Sequence, residues 1–107
     1  MYYLYVLKHT SGDTYVGFTS SVYRRLRQHN NGENVSTKRN SGHWNLVYYE
    51  AYGSKLDAWI REQKLKLRGA TKYNLFNRIK NSFALFEDEK YTDKKSTNSQ
   101  KPISFGF

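Results

Sequence analysis

An α+β domain, with a central and mostly antiparallel three-stranded sheet flanked by helices, is predicted by three features of this sequence. Two short runs rich in aromatic and β-branched residues, Tyr2–His9 and Thr14–Phe18, are joined by the turn residues Ser11-Gly12-Asp13, the pattern of a hairpin. A third run of the same kind, Trp44–Ala51, stands further along the chain. The intervals after the hairpin and after the third run carry helical rather than alternating spacing.

Each element has a local reason. In the first strand both alternating sets are apolar or aromatic (Tyr3, Tyr5, Leu7 and Tyr2, Leu4, Val6), so it should be covered on both faces and lie at the centre of the sheet. Thr19-Ser20-Ser21 offers N-caps for a helix over about Ser21–Asn30, which Asn30-Asn31-Gly32 stops. Glu33–His43 is polar and aperiodic, with Lys38 and Arg39 at its middle, and reads as a surface loop placed to touch a substrate. Gly53-Ser54 introduces a second helix, Lys55–Arg68, with Gly69 as its stop, and Thr71 can cap a third over Lys72–Phe86. From Glu87 the composition turns polar, which predicts a domain over residues 1–87 followed by a flexible tail, 88–107. Within that tail Ile103, Phe105 and Phe107 alternate as an edge strand would, an opening for a protein partner or for self-association.

The length of 107 residues suits one small domain. With no cysteine, disulfides, thiolate zinc modules and thiol catalysis are excluded, and any metal must be held by oxygen or histidine ligands, which favours a hard cation such as Mg²⁺. No apolar run approaches membrane-spanning length, and Met1-Tyr2-Tyr3-Leu4-Tyr5 lacks the basic region of a signal peptide, so an intracellular, soluble protein is expected, cytoplasmic or associated with the nucleoid or nucleus. Eighteen Lys+Arg against nine Asp+Glu leave a net charge of +9, which makes polyanions the natural partners.

Several residues are unusual choices for a plain core. On the first helix Val22, Arg25, Leu26 and His29 share a face, so an arginine and a histidine interrupt the inward stripe, while Arg24 and Arg27 lie elsewhere. A guanidinium there can serve a phosphate bidentately or form a structural salt bridge. On the second helix Ala58, Trp59, Glu62 and Leu65 form a stripe that again contains a charge. Glu62 is the best metal-ligand candidate, with an ion pair to Arg25 or Lys66 as the structural alternative. Tyr5 and Tyr15, on paired strands, are either core aromatics or part of a site.

Taken together, Tyr5, Tyr15-Val16-Gly17, Arg25, His29 and Glu62 resemble the GIY-YIG nuclease pattern: two sheet tyrosines about ten residues apart, the second opening a Tyr-Val-Gly triplet, then an arginine, a histidine and a later glutamate. Asn74 falls where that pattern often has an asparagine, with Asn77 a competing choice. The first triplet, Leu4-Tyr5-Val6, retains only the tyrosine, a variant that resembles the small stand-alone bacterial subgroup and the catalytic domains of junction nucleases. The resemblance implies a Mg²⁺- or Mn²⁺-dependent endonuclease acting on DNA, structure-selective or weakly sequence-selective, in repair, recombination or processing. It implies Tyr5 as general base, assisted by Tyr15 or His29 lowering its proton affinity; Arg25 would hold the scissile phosphate and Glu62 the metal. Gly17 would allow close backbone approach, while Arg24, Arg27, Lys38, Arg39 and Asn74 would contact substrate. Two other readings use the same basic face: a catalytically weak nucleic-acid-binding module, and a subunit that needs a partner for activity.

Overall fold

β1 (Tyr2–His9) is the middle strand, as its two apolar faces require. It pairs antiparallel with β2 (Thr14–Thr19) and with β3 (Trp44–Tyr52), in the order β2-β1-β3. These elements belong to a computed structural model that describes residues 1–86. The polar segment 88–107, with Ile103, Phe105 and Phe107, lies outside the described residues.

Alternation along β1 builds two cores. Leu4 and Val6 face one side with Val16 and are covered by Leu65, Leu75 and Ile79; Tyr5 and Leu7 face the other with Trp44, against Val22, Leu26 and Leu46. A register shift after Val6 leaves Val47 as an extra residue on β3, so Val47 and its neighbour Tyr48 both pack toward the Leu4–Val6 side. The second side carries the candidate site.

α1 (Val22–Asn30) covers the Tyr5 face, and the Ser21 side chain caps it by accepting from the Arg24 N–H. α2 (Lys55–Leu67), capped in the same way by Ser54, packs on β1, β2 and β3. α3 (Gly69–Arg78) and α4 (Lys80–Ala84) complete the cover of the Leu4–Val6 face, chiefly through Leu75 and Phe83.

Four local expectations need correction. Gly69 does not stop the second helix from a left-handed conformation; Arg68 alone is extended (φ −121°, ψ 108°), and Gly69 is already the first residue of α3, so Thr71 caps nothing. The long helix expected over Lys72–Phe86 is broken at Ile79. Burial of Ile79 beside Leu75 sets the bend, which brings the Phe83 ring to 4.8 Å from Phe76 and the Phe83 carbonyl within 3.2 Å of Lys8 Nζ. Third, Trp59 is 45% exposed and lies outward with Leu56 and Ile60, leaving Ala58, Glu62 and Leu65 as the inward set on α2. The 33–43 loop, finally, is not all surface. It contains a 3₁₀ turn, Val35–Thr37, capped by Asn34, and Thr37 is only 1% exposed. Among the described residues no helix is long and apolar enough to cross a membrane.

Candidate active site

The register of the hairpin decides which groups meet. Tyr5 sits opposite Gly17, and Leu7 opposite Tyr15, so the two tyrosines lie diagonally on one sheet face with ring centroids 6.2 Å apart. A Cβ on Gly17 would come within 2.7 Å of the Tyr5 hydroxyl and 2.8 Å of its ring carbon. The space left by the missing side chain is therefore filled by the phenol of Tyr5, so the Gly17 backbone lies close against a neighbour inside the fold.

α1 brings His29 over this pair. The Tyr5 hydroxyl is 2.9 Å from His29 Nε2, and the His29 ring lies 4.7 Å from that of Tyr15. Both members of the bond are inside the protein, Tyr5 at 1% and His29 at 2% exposure. Burial is the main force on their protons. It pushes the Tyr5 hydroxyl up to about 12, even though the neighbouring Arg25 guanidinium favours the phenolate, and it lowers His29 to about 4, with Arg25 adding repulsion of the imidazolium. The lowering of the Tyr5 proton affinity by the Arg25 guanidinium is thus present but loses to desolvation. At neutral pH burial thus favours a protonated Tyr5 and a neutral imidazole.

Arg25 is half-buried one turn before His29 and donates through Nη1 to Gln28 Oε1 at 2.7 Å. It borders a polar cleft of about 380 Å³ lined also by Glu33, Asn34 and Val35. Of the guanidinium's five N–H groups most remain available for an anion. Arg24 and Arg27 are exposed, Arg27 over the Tyr23 ring at 5.7 Å. Lys38 is exposed as well, whereas Arg39 is engaged, paired with Asp13 at 3.0 Å and lying 5.3 Å over the Trp44 ring.

Glu62 reaches the site from α2, which is pinned to β3 one residue earlier: Arg61 forks onto Glu50 at 2.9 and 3.0 Å, and the Tyr48 and Tyr52 hydroxyls also donate to that carboxylate. Burial alone would raise the Glu50 carboxyl, but these donors outweigh it and hold it below the usual range. Glu62 itself is 8% exposed and pairs with Lys66 Nζ at 3.1 Å, one of the two partners the sequence left open. Lys66 in turn lies 5.4 Å over the Tyr15 ring. No group of three or more His, Cys, Asp or Glu residues stands close enough to hold a metal among the described residues. A cation held by Glu62 would therefore take most of its ligands from substrate oxygens and water, as a hard cation such as Mg²⁺ does.

The fold thus gathers Tyr5, Tyr15, Gly17, Arg25, His29 and Glu62. Asn74, on α3, is exposed and makes no hydrogen bond to any of them among the described residues. Sequence reasoning named Lys66 as a possible partner of Glu62 but missed Thr37, whose Oγ1 lies 2.7 Å from His29 Nδ1; it sits in a stretch without periodicity and gave no signal.

A small α+β domain with two sheet tyrosines, an inward arginine and histidine on one helix and an inward glutamate on the next is the architecture of a nuclease catalytic domain. The chain belongs to the GIY-YIG family: residues 1–74 match its catalytic domain. Its relatives include the UPF0213 protein of Clostridium perfringens, 36% identical over 66 residues (62% of this chain and 71% of that one). Another, from Halobacterium salinarum, is 35% identical over 77 residues, 71% of this chain and the whole of its own length. A solution NMR structure of the UPF0213 protein from Bacillus halodurans, 33% identical, covers 72% of this chain and 84% of its own, with a TM-score of 0.45.

Proposed function

We propose that this protein is a divalent-metal-dependent endonuclease that hydrolyses phosphodiester bonds in DNA, structure-selective or weakly sequence-selective, in repair, recombination or processing. The observation that carries the reading is the buried Tyr5–His29 hydrogen bond beside a half-buried Arg25 with free donors. A core needs no such pair, and a binding surface would not hide it.

In this reading a water approaching the phosphorus loses its proton to the Tyr5 oxygen as the Tyr5 proton passes to His29 Nε2. The resulting hydroxide forms the new P–O bond, the bond to the departing sugar oxygen breaks, and that oxygen takes a proton from solvent. The double transfer avoids a free phenolate, which a hydroxyl held near 12 would rarely supply at neutral pH. Arg25 holds the non-bridging phosphate oxygens bidentately from its cleft and offsets the charge developing on them. Glu62 would hold Mg²⁺ or Mn²⁺ once Lys66 swings away, and the ion would supply neutralisation of the phosphate and leaving oxygens. Lys38, Arg24 and Arg27 give sequence-independent contact to the backbone.

The Lys66–Glu62 ion pair favours a second reading, since a carboxylate already neutralised is a poor metal ligand: a catalytically weak module that binds nucleic acid. One experiment separates them. The protein is incubated with flap, junction, single-stranded and duplex DNA, each with and without Mg²⁺; metal-dependent cleavage of at least one supports the nuclease, and binding without cleavage supports the module.

The faces of α1 give a further prediction. Arg25→Ala should lower the single-turnover rate about 10²-fold, as loss of a transition-state donor does. Arg24→Ala and Arg27→Ala should instead weaken binding and flatten its salt dependence by about one counterion each. Equal behaviour of the three variants in filter-binding and rate measurements would remove Arg25 from the site.

A further inference from the structure

We infer that Thr37 is a positioning residue that fixes the tautomer of His29, keeping its Nε2 free to accept the Tyr5 proton. The inference rests on the nuclease reading for its catalytic consequence. The hydrogen-bond geometry carries it independently.

Four hydrogen-bonding groups stand in a row. The Tyr5 hydroxyl meets His29 Nε2 at 2.9 Å, His29 Nδ1 meets Thr37 Oγ1 at 2.7 Å, and Thr37 Oγ1 reaches the Asn34 carbonyl at 3.3 Å. The terminal member decides the direction, because a carbonyl accepts and never donates. With Thr37 donating to Asn34, its oxygen accepts from His29 Nδ1–H, which leaves Nε2 with a lone pair for Tyr5. The reverse polarity would put a proton on Nε2 and turn the Tyr5 O–H elsewhere. Tyr5 is buried, its neighbour Arg25 offers only donors, and no other acceptor for its hydroxyl occurs among the described residues. Among the protein groups, the forward chain alone satisfies every donor.

Thr37 is well built for this task. Its backbone N–H donates to the Asn34 carbonyl at 3.1 Å and its own carbonyl accepts from Trp44 Nε1 at 2.8 Å, so both sides of the residue are tied down. As a β-branched residue it has few rotamers. It is 1% exposed, and its hydroxyl reaches the site by way of His29 Nδ1.

The test uses protein labelled with ¹⁵N at histidine, and the long-range proton–nitrogen correlations of the His29 ring. The parental protein should carry its ring proton on Nδ1. Thr37→Val, which keeps the shape and deletes the hydroxyl, should move the proton wholly or partly to Nε2; Thr37→Ser should restore the parental pattern. On the DNA form that the parental protein cuts, Thr37→Val should lower kcat roughly 10–100-fold, as loss of the hydrogen-bond partner that orients a metal-binding histidine does, with KM unchanged. Thr37→Ser should return most of it. A parental His29 protonated on Nε2 overturns the proposal without any variant, so failure of Thr37→Val to fold does not shelter it. An unshifted ring, or an unchanged kcat, in a folded Thr37→Val protein overturns it as well. A parental protein that cuts no DNA overturns the nuclease reading, and the tautomer measurement then decides the role of Thr37 by itself.

Discussion

Glu62→Ala protein should fold, bind DNA as tightly as the parental chain or more so, and lose Mg²⁺-dependent cleavage by roughly 10³-fold or more, since a metal that stabilises developing charge is worth several kcal/mol. The reasoning is electrostatic. Glu62 is the inward carboxylate of the Ala58, Glu62, Leu65 set, it approaches the tyrosines, and as an anion beside a phosphate it opposes binding unless a cation lies between them. Removing it frees Lys66 and leaves Arg24, Arg27 and Lys38 untouched. Single-turnover rates at several Mg²⁺ concentrations measure the effect. A variant that still cuts at the parental rate would transfer the metal to substrate oxygens alone and leave Glu62 as the partner of Lys66.

Tyr5→Phe should cost little stability, about 1 kcal/mol for one buried hydrogen bond, yet lower the rate by roughly 10²–10⁴-fold, the range for a lost general base. The ring stays in the notch opposite Gly17, so packing is preserved and only the relay is cut. Tyr15→Phe should be milder, because the Tyr15 hydroxyl takes no part in the bond to His29. The pH dependence of the parental rate follows from His29. Its folded value of about 4 lies below the ordinary 6.5, so the neutral ring that the relay needs is present at neutral pH and is lost as the pH falls through about 4. The same displacement contributes stability above pH 6.5 that disappears on acidification across the window from 6.5 to about 4, because the unfolded chain takes up the proton first. Urea denaturation across that window, compared with His29→Gln, isolates the share of this residue. A Tyr5→Phe protein that cuts at the parental rate across pH would pass the base role to His29 acting directly on water.

Much of the site was legible because the relevant information is local. Turn chemistry at Ser11-Gly12-Asp13 and alternation in the first run place Tyr5 on a central strand, and the paired run then puts Tyr15 on the same face. The 3.6-residue period puts Arg25 and His29 on one stripe with Val22 and Leu26, and puts Glu62 with Ala58 and Leu65. Periodicity also predicted too much. It placed Trp59 inward, where the helix turns it to solvent, and it ran one helix through Ile79, where packing of Phe83 on Phe76 and Lys8 demands a bend.

The sequence by itself determined the elements, the middle strand and the faces on which charge interrupts apolar stripes, because propensity and period act between neighbours in the chain. Only the tertiary structure decided where the protons and partners go. The Tyr5–His29 bond joins residues 24 apart, and the Lys8–Phe83 bond residues 75 apart. Burial, which sets the proton affinities of Tyr5 and His29 more strongly than their charged neighbours do, is a property of the assembled layers. Thr37 makes the same point from the opposite side. Nothing in its polar, aperiodic stretch marks it, and it becomes part of the site only because the folded loop turns one hydroxyl inward to the far nitrogen of His29.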